Sequence, residues 1–223
     1  MSPKYPRTPH LPYSPGGTSD DRRIPNTTSF VGRQVILTEK MDGSNVSMER
    51  HGCFARSHAS APNHPSFDAF KAAHAAVKHL IPEGYQVFGE WLYAKHSIGY
   101  SALPSFFQVF GVRCLNTGIW EQWAEVELWA HELGAVTVPV LAGPRVFENQ
   151  NDLQDCIEQL TRQPSVCGSE REGVVVRWAT AFADQEFGLA VAKWVRKDHV
   201  QSDDHWSHQA IVRNELAKTG AGT

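Results

Sequence analysis

The sequence predicts an α+β domain in which antiparallel sheets are flanked by helices. Short runs of β-branched and aliphatic residues follow one another with turn residues between them, which is typical of strands joined by hairpins. Segments with apolar residues at steps of three and four lie between these groups and indicate helices. Hairpin-joined strands with helices inserted between the strand groups favour antiparallel sheets. With 41% hydrophobic and 20% charged residues, the chain can also bury a proper core.

The first strands begin near Arg33. Residues 33–40 (RQVILTEK) are rich in β-branched and aliphatic residues, and residues 46–50 alternate between apolar and polar side chains. Residues 42–45 (DGSN) form a turn between these two strands. His51 and Gly52 suit a tight connection into a third strand over residues 53–56.

Helices and strands then alternate through the middle of the sequence. Pro65, Ser66 and Phe67 open a helix that reaches Ile81, with Ser66 as its N-cap, because apolar residues recur along one face. The other predicted elements of this region are strands over 85–92, 106–113 and 134–139 and a helix over 120–133.

The two ends of the sequence are more polar or more proline-rich than the middle. The last predicted elements are a helix over 151–162 and strands over 172–178 and 188–195. The first 25 residues hold six of the thirteen prolines, so they cannot form a helix, and their composition alone indicates a flexible or polyproline-like arm. The predicted organisation is a proline-rich segment over 1–27, a folded domain over 28–200 and a tail over 201–223.

Composition excludes several classes of protein. The formal net charge is -3, so binding of nucleic acid must come from local clusters of cations. No apolar run approaches the roughly 20 residues that span a bilayer, and the N-terminus is too polar for a secretory signal. The four cysteines are scattered, which indicates thiols in a reducing compartment. We therefore expect a cytoplasmic protein without membrane association.

Lys40 is the first candidate for chemistry. It ends an apolar strand and is followed by Asp42 and Gly43, so that its ammonium group can be partly desolvated beside a carboxylate. Burial and nearby cations lower the pKa of a lysine and make the free amine a nucleophile. The alternative from this segment alone is an edge-strand lysine followed by a β-turn.

Three further segments favour the nucleophile. Residues 88–91 (FGEW) and 172–175 (EGVV) each place a carboxylate beside a glycine, and residues 192–197 (AKWVRK) place three cations on and after a strand. A lysine, separated carboxylates and late cations are what attack on a nucleoside triphosphate requires. The sequence contains neither a P-loop nor a dinucleotide-binding glycine fingerprint, so phosphates are not bound in those ways.

The order of these motifs resembles the covalent nucleotidyltransferase superfamily of RNA ligases, DNA ligases and mRNA capping enzymes. Within it, the sequence is most similar to ATP-dependent RNA ligases, in residues 5–11 (YPRTPHL), 89–98 (GEWLYAKHSI) and 199–206 (HVQSDDHW). The resemblance covers nearly the whole chain. It implies that residues 28–200 form a nucleotidyltransferase domain, ATP-grasp-like, built of antiparallel sheets flanked by helices. The likeness of residues 5–11 to the family implies that the proline-rich segment packs on this domain near the functional site.

The resemblance also implies the reaction. Lys40 attacks the α-phosphate of ATP, carries AMP covalently and releases pyrophosphate. AMP then passes to the 5′-phosphate of an RNA end, and a 3′-hydroxyl displaces it to seal the strand. The implied cofactors are ATP and Mg²⁺ or Mn²⁺, and the implied partners are RNA ends. No protein partner is indicated.

The resemblance also implies roles for individual residues, through the motifs in which they stand. The resemblance places Glu39 at the adenine, Asn45 near the phosphates and Arg56 at the ribose or the RNA end. Glu90 would contact the ribose or a metal-bound water. From the register of its strand, Phe107 would stack on the adenine.

The late cations and the carboxylates complete the implied site. Lys193 would contact the α-phosphate and lower the pKa of Lys40, while Arg196 or Lys197 would contact other phosphates. The catalytic residues are then Lys40, Lys193 and Glu172, and the residues assigned to the metal are Asp42, Glu172 and Glu90. Candidates for binding the RNA backbone are Arg7, Arg22, Arg23, Arg33, Arg56, Lys95, Lys193, Arg196, Lys197 and Arg213.

The sequence departs from the family in places. Gly111 stands where many relatives have an Asp, and Val195 stands where relatives often have a second lysine. About 26 residues follow Lys197, too few for an appended oligonucleotide-binding barrel of roughly 80–100 residues. The alternatives are a minimal DNA ligase, a capping-type transferase that uses GTP, or a non-catalytic module that binds nucleic acid.

Overall fold

The computed structural model describes residues 3–18, 20–56, 62–197 and 211–218. The strands are β1 (Gln34–Lys40), β2 (Ser44–Glu49), β3 (Gly52–Ala55), β4 (Tyr85–Trp91), β5 (Phe107–Cys114), β6 (Ile119–Trp120), β7 (Val136–Thr137), β8 (Val140–Val146), β9 (Gly173–Trp178), β10 (Phe182–Ala183) and β11 (Val191–Val195). The helices are α1 (Asp68–Val77), α2 (Trp123–Glu132), α3 (Gln150–Thr161) and α4 (Phe187–Ala190). The predictions for residues 199–206 lie outside the described residues.

Two sheets form the centre of the molecule. The first has the order β11-β9-β1-β8, and all its neighbours are antiparallel. The second has the order β10-β6-β5-β4-β2-β3, with β7 added parallel to β5. The predicted α+β class with antiparallel sheets is confirmed.

Two hydrophobic clusters hold the layers together. One cluster joins the second sheet, through Val87 and Val109, to Phe70 of α1 and Val126 of α2. The other joins the first sheet, through Leu37 and Val176, to buried residues of α3. Helices therefore cover one face of each sheet, which leaves facing surfaces of the two sheets to line a cavity.

The proline-rich segment extends the first sheet. In residues 3–25, which we call the N-terminal arm, the Leu11 amide donates to the Lys193 carbonyl (2.8 Å), and the Lys193 amide donates to the Pro9 carbonyl (2.9 Å). The Gly16 amide likewise donates to the Val195 carbonyl (2.9 Å). The arm therefore lies along β11 and beside the cavity.

Some local predictions were wrong. Strand β8 was missed because it contains Gly143 and Pro144 and lies largely exposed at a sheet edge, without an alternating pattern. The helical region near residue 66 begins with a 3₁₀ turn that is capped by the His64 side chain, which accepts the Ser66 amide (3.3 Å), so Ser66 is not the cap. Of the helices that the structure describes, none combines the length and apolar character needed to cross a membrane.

Candidate active site

A cavity of about 1330 Å³ lies between the two sheets. Strands β1, β9 and β11 supply one wall, strands β2, β4 and β5 supply the other, and the arm closes one side. The predicted site residues that line it are Glu39, Lys40, Asp42, Asn45, Arg56, Glu90, Glu172 and Lys193. Residues far apart in the sequence therefore meet in one place.

Strand register brings Lys40 to Glu172. Lys40 ends β1 opposite Gly173 of β9, and its Nζ forms an ion pair with Oε1 of Glu172. A Cβ at Gly173 would collide with the Trp194 carbonyl of β11, so this position requires a glycine. The Glu-Gly motif thus allows three strands to approach closely while its carboxylate faces the lysine.

The pKa of Lys40 differs from the prediction. Burial acts to lower it, but the carboxylates of Glu172, Glu90 and Asp42 outweigh burial and hold the pKa above its usual value. The expectation of a lowered pKa was wrong because it considered nearby cations and not the three carboxylates. In the structure Lys40 is therefore an ammonium group paired with Glu172.

Lys193 is the lysine whose pKa is lowered. Burial, together with the charge of Lys40, lowers its pKa to about 8. Its backbone lies in β11 opposite Val175, and its side chain faces the same cavity as Lys40. Lys40 and Lys193 thus face the same cavity, and the positive charge of Lys40 contributes to the lowered pKa of Lys193.

The turn after Lys40 is fixed by hydrogen bonds. The Asp42 amide donates to the Tyr100 hydroxyl (2.8 Å), and Asp42 Oδ2 accepts from the Ile98 amide (2.7 Å). The Gly43 amide donates to Glu90 Oε1 (3.2 Å), and a Cβ at Gly43 would approach the Trp91 carbonyl to 2.7 Å. The Asp-Gly pair therefore binds this turn tightly against β4.

Glu90 and Asn45 face each other across β4 and β2. Burial is the main cause that raises the pKa of Glu90 to about 8, with Lys40 opposing and Glu172 and Asp42 adding to it. Oδ1 of Asn45 is buried and accepts no hydrogen bond from the described residues. This orphaned oxygen beside a carboxylate is suited to a cation or a donor group that enters the cavity.

The donor set fits a hard divalent cation. Carboxylate and amide oxygens are the ligands that Mg²⁺ and Mn²⁺ prefer, and Mg²⁺ commonly takes few protein ligands and keeps water and phosphate oxygens. Within the described ranges, no three Asp, Glu, His or Cys side chains converge closely enough to form a complete metal site. Asp42, Glu90 and Glu172 fit a metal held partly through water and substrate oxygens.

Glu39 lies at the cavity, and its two carboxylate oxygens differ in their hydrogen bonding. Its Oε2 accepts from the Val166 amide (3.0 Å) and lies 3.5 Å from Arg171 Nε. Its Oε1 is buried and has no hydrogen-bond partner among the described residues. An acceptor of this kind is suited to a donor group of a ligand.

The placement of Phe107 corrects a prediction. Phe107 is buried against Phe70 of α1 and lies outside the cavity lining, while Phe110 lines the cavity. Residues three positions apart on a strand point to opposite faces of its sheet, so the predicted register chose the wrong face. The opposite parity of Phe110 on the same strand was the signal that could have identified it.

Arg196 and Lys197 are not brought to the cavity. Arg196 pairs with Glu170 (2.6 Å), and Lys197 is exposed beyond the end of β11. Strand alternation explains the difference, because Arg196 has the opposite parity to Lys193 and follows the last strand residue. Neither residue is part of the cavity lining, and their contact with other phosphates stays a prediction.

Three of the predicted cations are exposed at the cavity mouth, where the unpredicted Lys4 is exposed as well. Arg7 of the arm, Arg56 after β3 and Lys95 after β4 line the cavity and form no ion pair with other described residues; we call them the cationic rim. Apart from Lys193, which lies in the cavity, the remaining candidates are used elsewhere or lie outside the lining. Arg23 donates to three carbonyls, Arg33 stacks on Trp178, and Arg213 stacks on Tyr93.

Sequence reasoning also missed Arg177. This buried residue lines the cavity and donates to the carbonyls of Phe110 (3.0 Å) and Glu121 (2.7 Å). Burial lowers its pKa to about 10. Only the tertiary structure reveals its position, because the motif Glu-Gly-Val-Val-Val-Arg is equally consistent with a strand that ends in an exposed surface arginine.

Comparison with protein families gives one match. The model described as RNA ligase matches residues 33–195, which is most of the chain. No curated protein matches the chain by sequence.

Solved structures share the fold. A lysine-to-alanine mutant of Naegleria gruberi RNA ligase with ATP and Mn has a TM-score of 0.58 at 16% identity, covering 87% of this chain and 62% of that chain. The Naegleria gruberi RNA ligase with PPi has the same TM-score at 18% identity, covering 87% and 61%. An archaeal ATP-dependent RNA ligase has a TM-score of 0.55 at 18% identity, covering 86% and 48%. This chain thus spans between about half and three fifths of these relatives.

Proposed function

The chain belongs to the RNA ligase family, and from this premise we propose that it is an ATP-dependent ligase that seals 5′-phosphate to 3′-hydroxyl RNA ends. One observation carries the proposal: Lys40 is paired with Glu172 inside a cavity that also contains Lys193 and Glu90. An edge-strand lysine without chemistry would not need a buried carboxylate partner and a second buried cation.

In the first step, Lys40 gives up a proton to the carboxylate of Glu172, its ion-pair partner, and its Nζ lone pair attacks the α-phosphorus of ATP. A phosphoramide bond forms, the bond to the bridging oxygen breaks, and pyrophosphate leaves with that electron pair. Lys193 neutralises charge on the α-phosphate, and Glu172 orients Lys40. Asp42, Glu90 and Glu172 would hold a divalent cation together with water and phosphate oxygens, and that cation would supply charge neutralisation at the phosphates.

The nucleobase contacts favour ATP over GTP. The free Oε1 of Glu39 is an acceptor, which suits the exocyclic amine of adenine and would repel the carbonyl oxygen of guanine at the same place. Phe110 supplies an aromatic face for the base, in the role first assigned to Phe107. Asn45 and Arg56 contact the phosphates and the ribose or RNA end.

The later steps use the cavity mouth. The RNA 5′-phosphate displaces Lys40 from the adenylate to give an RNA-adenylate, and the 3′-hydroxyl of the other end then attacks that 5′-phosphorus and releases AMP. The cationic rim binds the phosphates of the two ends, because unpaired exposed cations contact a nucleic-acid backbone most readily. We also propose the division into residues 1–27, 28–200 and 201–223, and a cytoplasmic location stays a prediction.

Protein labelling tests the first step. We expect α-labelled ATP with Mg²⁺ or Mn²⁺ to label the purified protein, Lys40→Ala to abolish the label, and Lys71→Ala, whose lysine pairs with Asp68 on α1, to retain it. Mass spectrometry then locates one AMP on Lys40. No adduct with any nucleotide would support a non-catalytic binding module, and label from GTP alone would support a capping-type transferase.

A second assay tests the substrate. A nick with RNA on the 3′-hydroxyl side is expected to seal faster than an all-DNA nick of the same sequence. Equal rates would support the minimal DNA ligase instead. The RNA-adenylate should accumulate when the 3′-hydroxyl is replaced by hydrogen, because the last step then lacks its nucleophile.

A further inference from the structure

We propose that Asn214 is a positioning residue for Lys40, acting by holding the loop between β4 and β5 against the turn that follows Lys40. This inference rests on the proposed function, because the site that Asn214 supports is the one proposed for adenylyl transfer. Asn214 lies more than 170 positions from Lys40 in the sequence, and it belongs to no motif identified there.

The Asn214 side chain is 4% exposed and fully engaged with the loop over residues 92–106, which we call the β4–β5 loop. Its Oδ1 accepts from the Tyr100 amide (2.9 Å). Its Nδ2 donates to the carbonyls of Leu92 (2.8 Å) and Ala94 (3.4 Å). One side chain therefore joins Leu92, at the start of the loop, to Tyr100, eight residues further along.

Backbone hydrogen bonds hold the same two segments together. The Lys95 amide donates to the Val212 carbonyl (2.7 Å), and the Asn214 amide donates to the Tyr93 carbonyl (3.0 Å). The Glu215 amide donates to the Tyr100 carbonyl (2.9 Å). Residues 211–218, which we call the C-terminal segment, thus lie against the loop over most of its first half.

The loop in turn holds the residue two positions after Lys40. The Tyr100 amide donates to Asn214, as described above. The hydroxyl of the same tyrosine accepts a hydrogen bond from the Asp42 amide (2.8 Å). The Ile98 amide, two residues earlier, donates to Asp42 Oδ2 (2.7 Å). Asn214 is therefore connected to Asp42 by a short chain of buried hydrogen bonds.

The same contacts shape the cavity wall. Ala94, Lys95, His96 and Ser97 of the loop line the cavity, and so does Val212 of the C-terminal segment. If Asn214 is removed, two carbonyls and one amide lose their buried partner, and the loop must move to find others. Such a movement displaces Asp42 and Lys95 while the sheets stay intact.

Hydrogen exchange tests the link independently of activity. In Asn214→Ala we expect the Asp42 and Ile98 amides to lose protection, while amides in β1, β4 and β9 remain protected. Glu215→Ala is the matched control, because Glu215 is exposed and its backbone bonds do not depend on its side chain. Unchanged protection at Asp42 and Ile98 would overturn the proposal.

Single-turnover kinetics test the consequence for transfer. At saturating ATP we expect Asn214→Ala to form the Lys40 adduct at least about tenfold more slowly, because small misplacements near reacting groups can cost up to about 100-fold. The ATP concentration for half-saturation should change by less than about threefold, since no base or phosphate contact is removed. Asn214→Asp, which keeps the Oδ1 acceptor and loses the donors, should be intermediate.

A general loss of stability has a different signature. Uniform loss of protection with a lower melting temperature would mean that Asn214 only stabilises the fold, and would overturn the proposal. Should Asn214→Ala fail to fold, Tyr100→Phe decides, because it removes only the acceptor of the Asp42 amide; a wild-type transfer rate in that variant would also overturn it. If the wild type itself forms no adduct, the proposed function fails, while exchange at Asp42 and Ile98 still decides whether Asn214 holds the loop.

Discussion

Phe107 and Phe110 of β5 are chemically identical and face opposite environments. Phe107 fills the space above Gly89, where a Cβ would collide with its ring, and packs on Phe70. Phe110 is half-buried at the cavity, with the ring of Tyr5 5.0 Å away in an edge contact. One residue therefore supports the core and the other is available to a ligand.

Substitution should separate these roles. We expect Phe107→Ala to lower the free energy of unfolding by about 3–5 kcal/mol, the usual cost of removing a buried aromatic side chain. Phe110→Ala should cost less stability and should raise the ATP concentration for half-maximal adduct formation several-fold. Chemical denaturation and adduct titration measure the two effects. A wild-type ATP requirement in a folded Phe110→Ala would contradict the assignment of the base-stacking face.

The N-terminal arm behaves as an element of the first sheet, although it has no strand of its own. His10 is completely buried within it, with Nδ1 2.9 Å from Ser14 Oγ and Nε2 3.5 Å from Asp21 Oδ2. Ser14 Oγ also accepts the Val195 amide of β11 (2.9 Å). His10 therefore joins the two halves of the arm and holds them against β11.

Titration of His10 should make the arm sensitive to acid. Burial and the charge of Lys193 lower its pKa to about 4 from 6.5, although Asp21 acts in the opposite direction. Between these two pH values the unfolded chain takes up a proton that the folded protein does not, so stability falls as pH falls, by about 3 kcal/mol in total. Above pH 6.5 neither state is protonated at this residue, and His10 makes no difference.

The measurement is the free energy of unfolding as a function of pH. His10→Gln has no titrating group at this position, so its stability should fall less steeply than that of the wild type across this interval. His131→Gln, at an exposed position in α2, is the matched control and should follow the wild type. Parallel curves for the wild type and His10→Gln would contradict the prediction.

Helices and strands with regular apolar patterns could be predicted from the sequence. Irregular edge strands and contacts between residues far apart in the sequence could not. The hairpin strands β1 to β3 follow from alternation and turn residues, within one or two positions of their observed ends. Strand β8 carries a proline and few buried residues, so its pairing with β1 comes from tertiary structure. Lys40 and Glu172 could be named from motifs, but the contact of Asn214 with the β4–β5 loop depends on a fold that no local pattern specifies.

At the scale of the whole molecule, net charge conceals a local asymmetry. The chain carries a formal net charge of -3, yet the cavity mouth has the exposed cations of the cationic rim, Arg7, Arg56 and Lys95, which form no ion pair with other residues in the part of the chain that the structure describes. They come from the arm, from the end of β3 and from the β4–β5 loop, so only the assembled fold creates the rim. Association with RNA should therefore depend on ionic strength despite the acidic composition.

The contribution of the cationic rim to RNA binding is measured by the dependence of RNA affinity on salt concentration. Each of Arg7→Ala, Arg56→Ala and Lys95→Ala should weaken binding of a single-stranded RNA and reduce the slope of log K against log salt by about 0.7. Lys78→Ala, at an exposed position after α1, should leave the slope unchanged. A slope equal to the wild type in all three rim variants would place the RNA elsewhere on the surface.

The arm that runs beside β11 has a consequence for how copies of the protein meet. An uncovered outer strand offers a row of free amides and carbonyls to any other extended chain, and so invites unwanted association. By satisfying the amides and carbonyls of Lys193 and Val195, the arm removes that template. At the opposite border of the same sheet, β8 is interrupted by Pro144 and carries the charged Arg145, two features that discourage further pairing there. Both borders of the first sheet are thereby kept from self-association, and a chain shortened at its start would lose this protection on the side next to the cavity.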